Sequence, residues 1–426
     1  MKKVYCCIDL KSFYASVECV ERGLDPFKVN LVVADPDRSK GTVCLAISPA
    51  MKALGVKNRC RVYEIPKKIE YITAKPRMKL YIKKSAEIYS VYLRYISPED
   101  IHVYSIDEVF IDLTDYQKLY KKTAKELAKL LIDEVYESTG IRATVGIGTN
   151  LFLAKVALDI TAKHSSDFMG FLDETEFKKT IWHHRPITDI WNVGRGIAER
   201  LSQMGIFDLY GVAKCPEKIL YKEFGVNAEL LIDHANGVEP CTIADIHAYK
   251  SKSNSLSNGQ VLFSDYSNKD ALIIVKEMVE QLVLELVEKH LVTDSISLSV
   301  SLADRNAKSI GGTVNFKEYT SSLKKILTAF IEYYEKKVPK NVLIRRVNVG
   351  LNGLVDESFT TVDLFTGVEE INKERGLQRT VVDIKDKYGK NAILMGTSYE
   401  ERATGRVRNK LVGGHNGGED DDNGKG

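Results

Sequence analysis

Val103-Tyr104-Ser105-Ile106-Asp107-Glu108-Val109-Phe110-Ile111-Asp112-Leu113 sets two adjacent acids inside a run of apolar and β-branched residues. Val103, Phe110, Ile111 and Leu113 read as buried strand. Neighbouring side chains of a regular strand point to opposite faces. Asp107 and Glu108 can therefore serve one site only if the chain turns here, as at the tip of a hairpin. Two acids buried together are costly unless something cationic neutralises them. A hard divalent metal with oxygen ligands meets that need. A solvated hairpin turn would also accommodate the pair, so the choice rests on what else the fold brings to the tip.

Upstream, Lys3 to Leu10 reads as a strand that carries Asp9 near its end. A helix follows, with Phe13, Val17 and Val20 at helical spacing and Ser12 as its N-cap. The free N–H groups at its start, those of Phe13 and Tyr14, suit phosphates. Short strands are expected at Leu31 to Ala34 and Gly41 to Ile47, then a short helix closed by Gly55. Further helices are expected from Lys79 to Tyr95, Lys121 to Ser138 and Asn150 to Lys163, with a strand from Arg142 to Gly148. With 11–78 set aside as an insertion, the order is β, α, β, β, α, β, a split βαβ or ferredoxin-like arrangement. Its first and third strands are central neighbours, so Asp9 should meet Asp107 and Glu108. Three converging carboxylates make a two-metal constellation, a far more specific signal than either acid alone.

The 426 residues, 44% of them hydrophobic, allow about three domains with sizeable cores. No apolar run is long enough to span a bilayer, and the N-terminus reads as strand rather than signal peptide. Seven cysteines occur without CxxC spacing, which points to neither a zinc site nor a disulfide framework. A reduced, cytoplasmic protein with no membrane partner is expected. The net charge of +3 says little, but from Lys57 to Lys84 ten Lys/Arg face only Glu64 and Glu70, with Tyr63, Tyr71 and Tyr81 interleaved. That stretch is either a phosphate surface or a solvated basic face.

Ile187 to Leu209 reads as a helix-hairpin-helix around Val193-Gly194-Arg195-Gly196, where open backbone and Arg195 suit a phosphate; an ordinary helical turn would look alike. Asp245 to Asn258 has linker composition. Beyond it, Ser295-Ile296-Ser297-Leu298-Ser299-Val300-Ser301-Leu302 alternates, so one sheet face is apolar and the other covered in hydroxyls. The strand Val342 to Val349 adds Arg345 and Arg346, giving either a nucleic-acid surface or a solvated sheet face. Thr361-Val362-Asp363-Leu364-Phe365 places apolar anchors in a polar stretch, fit for a partner's groove or for the protein's own core. The tail after Lys410 is Gly-rich, then acidic, and is expected to lack a fixed structure.

Asp9-Leu10-Lys11-Ser12-Phe13-Tyr14-Ala15-Ser16-Val17-Glu18 resembles the N-terminal motif of Y-family, or lesion-bypass, DNA polymerases. Tyr104 to Phe110 resembles their catalytic hairpin. Thr144-Val145-Gly146-Ile147-Gly148, with Leu153-Ala154-Lys155 and Ala162-Lys163, is similar to the end of their palm. The resemblance covers about 1–355 and is closest to the UmuC-like branch, of the Gram-positive ultraviolet-damage-repair type, which Lys387-Tyr388-Gly389-Lys390-Asn391-Ala392 also resembles. It implies a multidomain α+β fold: a ferredoxin-like palm (1–10 and 79–168), fingers (11–78), a helix-hairpin-helix thumb (169–244), a linker (245–255), a β/α little finger (256–355) and a tail (356–426).

The same resemblance implies a template-directed, error-prone translesion DNA polymerase acting on primer-template DNA and dNTPs. Asp9, Asp107 and Glu108, with the Leu10 carbonyl, would hold two Mg²⁺. Tyr14 would be the steric gate under the sugar, and Lys163 would contact the triphosphate. Phe13 joins this nucleotide set through its amide. Ser48 and Met51 stand where relatives carry a Tyr and an Arg that clasp the triphosphate. Lys52 would stand in for the Arg only as a point charge. Gly194, Arg195, Gly196, Arg345 and Arg346 would meet DNA. Val362, Asp363, Leu364 and Phe365 would bind a sliding clamp, although Thr361 replaces the usual Gln. Two rival readings use the same features: a non-catalytic DNA-binding accessory protein of the damage response, and a palm-fold nucleotide cyclase.

Overall fold

The computed structural model describes residues 3–35, 41–251, 254–304, 306–362 and 367–418. They divide into two compact units, one running to Tyr249 and taking in His415 onward, the other Lys250–Gly414.

The first unit opens with β1 (Tyr5–Leu10) and α1 (Phe13–Val20). The strands β2 (Leu31–Val33), β3 (Ala46–Ile47) and β4 (Ile72–Ala74) form a small sheet in the order β3-β2-β4, with α2 (Pro49–Ala53) beside it. The second expected strand of this insertion is shorter than 41–47, because Val43 pairs with Arg61 instead. Next come α3 (Met78–Tyr92), β5 (Ile101–Val103), β6 (Glu108–Asp112), α4 (Tyr116–Tyr120), α5 (Ala124–Thr139), β7 (Ala143–Gly148), α6 (Leu151–Val156) and β8 (Met169–Leu172). The main sheet has the order β5-β6-β1-β7-β8. β1 is thus central, antiparallel to β6 on one side and β7 on the other, as the ferredoxin-like reading expects. Tyr5, Cys6, Cys7 and Ile8 are buried, which is why this strand reads as an unbroken apolar run.

The helix expected from Asn150 to Lys163 is α-helical only to Val156. A π turn at Ala157–Thr161 and a 3-10 turn at Ala162–His164 complete it. The segment presses directly on β7: a Cβ on Gly146 would lie 2.1 Å from the Leu158 nitrogen, and one on Gly148 2.2 Å from the Ala154 nitrogen. Only glycine permits that approach.

A helical region follows: α7 (Glu174–Thr180), α8 (Arg195–Gln203), α9 (Leu209–Lys214), α10 (Glu217–Phe224), α11 (Asn227–Ala235) and α12 (Ile243–Ala248). Phe177, Leu201, Leu209 and Leu220 form its core with Phe152. The first limb of the expected helix-hairpin-helix is a single 3-10 turn, Ile187–Asp189, bounded by Pro186 and by Asn192 at φ 68°. The expected linker also begins late. Thr242 and Asp245 cap α12 reciprocally, so 245–248 is helix.

The second unit contains β9 (Leu256–Tyr266), α13 (Asn268–Glu288), β10 (Leu291–Leu302), β11 (Ile310–Thr320), α14 (Leu323–Lys337) and β12 (Ile344–Asn352). The strand order is β11-β10-β12-β9. Ile296, Leu298, Val300, Val347 and Val349 face a core shared with Ile274, Met278, Phe330 and Tyr334. The expected tail (356–426) contains helices. α15 (Val368–Tyr388) packs on α13, with Lys385 3.6 Å from Glu280 and Gln378 donating to the Ser321 carbonyl. The short α16 (Gly405–Arg408) is held by the buried Glu277, which accepts the N–H groups of Thr404 and Gly405. Of the glycine-rich end, Gly417 accepts the Lys79 N–H, while 419–426 lie outside the described residues. Among the described residues no helix is long and apolar enough to cross a membrane.

Candidate active site

Three pieces of chain meet where β1 leaves the sheet. Asp9 sits opposite Glu108 in the antiparallel ladder, so both side chains share a face. Between β5 and β6 the chain turns at 104–107, closed by Tyr104 and Ser105 N–H bonds to the Glu108 carbonyl. The Leu10 N–H donates to the Asp107 carbonyl at 2.9 Å, bringing the turn against the end of β1. The Ser105 hydroxyl donates to Asp107 Oδ1 at 2.7 Å. The expected hairpin is present, and its backbone lies against the end of the strand that carries Asp9.

Electrostatics mark the corner. Burial pushes the Asp9 carboxyl up to about 7; Asp107 and Glu108 add to that, while Lys163 and Lys155 oppose it. Burial lowers Lys52, with Asp9 opposing and Lys163 reinforcing; Lys11 is lowered by burial and by Lys52 and Lys163. Ammonium groups from α2, from the turn after β1 and from the end of the α6 segment therefore act on one half-buried acid.

Tyr14 projects from α1 toward this corner. Its hydroxyl is pushed up by burial and by Asp107, and its ring stacks on Tyr81 at 4.6 Å. Tyr81 in turn donates to Glu18, which also accepts from Arg77 and Arg22. This buried cluster fixes α1 against α3 and so sets the Tyr14 ring. It also uses part of the basic segment internally: Arg77 serves Glu18, and Lys84 pairs with Glu21 and Glu87.

Ser12 occupies the N-cap position but in a left-handed conformation (φ 50°), and its side chain caps nothing. The amides of Phe13 and Tyr14 meet no acceptor among the described residues. Ser48 differs from expectation. It is fully buried, and its hydroxyl accepts the Leu31 and Met51 N–H groups as the cap of α2, so it has no reach toward a nucleotide.

Glu108 is not an open ligand. Lys155 Nζ lies 2.6 Å from its Oε1, and the Cys7 thiol donates to the same oxygen at 3.0 Å. Lys155 also meets Asp159 at 3.0 Å, and Lys163 meets Asp159 at 2.7 Å. Sequence reasoning missed Lys155 and Asp159 as site residues. Their signal was present as charges at 155, 159 and 163, one helical repeat apart on an apolar segment. Among the described residues no three acid, His or Cys side chains already form a metal cage. The donors nonetheless fit a hard cation: the side chains offer carboxylate oxygens, and the Asp9 carboxylate is destabilised by burial and by its acidic neighbours.

Elsewhere, Gly194 caps α8 and Arg195 and Gly196 begin it. A Cβ on either glycine would meet nothing within 4 Å, so the protein's own packing does not require them. On β12 the pairing shifts register between Ile344 and Arg346, and both Arg345 and Arg346 are exposed. Arg346 shares its sheet face with Asn348 and the β10 serines Ser299 and Ser301. Val362 is exposed; Asp363, Leu364 and Phe365 lie outside the described residues.

The fold is that of a Y-family DNA polymerase. A Y-family polymerase chimera of Dbh and Dpo4 matches it with a TM-score of 0.63 at 22% identity, over 83% of this chain and 99% of that one. The chain belongs to the impB/mucB/samB family, which matches residues 8–159, its C-terminal domain matching 253–364. It is 30% identical to a protein of Bacillus subtilis (strain 168) named for UV-damage repair, UvrX, over 97% of this chain and 98% of the relative. It is 29% identical to DNA polymerase IV 2 of the same strain, over 97% and 99%, and 26% identical to DNA polymerase IV of Clostridium acetobutylicum, over 94% and 99%.

Proposed function

We propose that this chain is a template-directed translesion DNA polymerase that extends a primer 3′ end with dNTPs by two-metal nucleotidyl transfer. The observation that carries the site assignment is Asp9 held opposite Glu108, beside the Asp107 turn, as a half-buried acid among acids. Asp9, Asp107, Glu108 and the Leu10 carbonyl are the groups that would hold Mg²⁺. Bound there, the ions would lower the pKa of the primer hydroxyl and neutralise the leaving pyrophosphate.

The chain's own groups do the rest. Lys11, Lys52 and Lys163 would balance the triphosphate charge, and the open amides of Phe13 and Tyr14 would bind its oxygens. The Tyr14 ring, backed by Tyr81, would form a wall under the sugar and exclude a 2′-hydroxyl. In domain terms, 1–10 with 79–168 would be the palm, 11–78 the fingers, 169–244 the thumb and 256–355 the little finger. Gly194, Arg195 and Gly196 would approach the DNA backbone, as would the exposed Arg345 and Arg346, the latter on the hydroxyl-bearing face. Val362 to Phe365 would engage a sliding clamp.

Primer extension on a damaged template with Mg²⁺ tests the reading. Wild type should extend and Asp107→Ala should not. Equal extension by both, or none by wild type, would remove it in favour of the accessory-protein alternative.

A further inference from the structure

Glu108 has a resident partner. Lys155 and Glu108 are nearly closed to solvent, with side-chain exposures of 9% and 11%, and their 2.6 Å contact is direct. At such depth the attraction between unit charges is much stronger than at the surface. A cation that takes Glu108 as a ligand must therefore compete with an ammonium already there.

Lys155 has a second acid within reach. Its Nζ lies 3.0 Å from Asp159 Oδ2, while Lys163 Nζ lies 2.7 Å from Asp159 Oδ1. One carboxylate thus serves two ammonium groups. Lys163 is the outer one, with 43% of its side chain exposed, and its charge reaches Asp9. An anionic triphosphate that draws Lys163 away leaves Asp159 with Lys155 alone. Lys155 then leans toward Asp159, and its hold on Glu108 weakens. We infer that Lys155 and Asp159 are positioning residues which couple the arrival of a triphosphate at Lys163 to the release of Glu108 toward a divalent cation. The inference rests on the metal-site reading of Asp9, Asp107 and Glu108 given above.

The test is Mn²⁺ titration of the full-length protein without nucleotide, with free Mn²⁺ followed by electron paramagnetic resonance. Lys155→Met keeps a buried stem but removes the competitor, and should tighten Mn²⁺ binding roughly tenfold. Asp159→Asn leaves Lys155 to Glu108 alone, and should weaken binding about fivefold in the wild-type background. In the Lys155→Met background it should do nothing, because its effect runs through Lys155. Equal weakening in both backgrounds would show only long-range charge and would overturn the relay. So would Lys155→Met binding Mn²⁺ no more tightly than wild type. If Lys155→Met fails to fold, Lys155→Gln enters the same cycle. Wild type that binds no Mn²⁺, or binds it as well after Asp107→Ala, would instead remove the metal site itself, a separate failure from that of the relay.

Discussion

Two carboxylates in the first unit, Glu18 buried and Asp9 half-buried, sit in opposite surroundings. Glu18 is fully buried, yet burial is outweighed by hydrogen bonds from Arg77, Arg22 and Tyr81, which hold its carboxyl below the usual range. Burial pushes Asp9 up to about 7, because its nearest acids, Asp107 and Glu108, add to the penalty and the lysines around it do not cancel it. Glu18 is an acid whose charge the fold has satisfied. Asp9 is an acid whose charge the fold has left for something else to satisfy. Burial alone therefore does not mark a functional acid; what decides is whether the protein supplies the counter-charge.

The largest expected consequence lies on the unsatisfied side. Asp107→Ala should lower primer extension on the order of 10³-fold, with the melting temperature little changed. A loss below tenfold would erase the functional half of the contrast. On the satisfied side, Glu18→Gln should cost about 3 kcal/mol in urea denaturation, since it strands Arg77 and Arg22; these are a third exposed, which keeps the loss at the low end for a broken buried pair. Asp9→Asn should have the opposite sign, stabilising the protein in EDTA by about 1 kcal/mol, because it removes a half-buried charge that the nearby lysines only partly offset. If both substitutions destabilise equally, the two acids do not differ as described.

The smallest effect is in pH. A depressed carboxyl such as Glu18 contributes stability that is complete above its unfolded value, about 4.3, and is lost as pH falls toward its folded value. Wild type should therefore lose stability more steeply below about pH 4.3 than Glu18→Gln. Parallel denaturation curves across that window would show that Glu18 is not held low.

Asp9 and the acidic hairpin were legible because each interrupts a long apolar run, and the order of elements forces those runs side by side. The hydroxyl face of β10 was legible from strict alternation. Less visible were contacts that depend on distant partners. Glu18 looks like any helical acid until Arg77, at the start of α3, and Tyr81, within it, arrive from 59 and 63 residues away. Ser48 looked available because a cap and a ligand-binding hydroxyl share one residue type, and only the burial of α2 separates them. The helix of the tail was not legible: α15 attaches in large part through ion pairs and amide contacts, which leave only a sparse apolar stripe to read.

The clasp between Glu277 and α16 has a practical consequence for anyone shortening this chain. Ending it near residue 356, where the sheet of the second unit is already complete, would remove both N–H donors from a side chain only 4% exposed. The Glu277 carboxylate would trade two backbone N–H groups for water, and the part of α13 that α15 and α16 cover would be laid open.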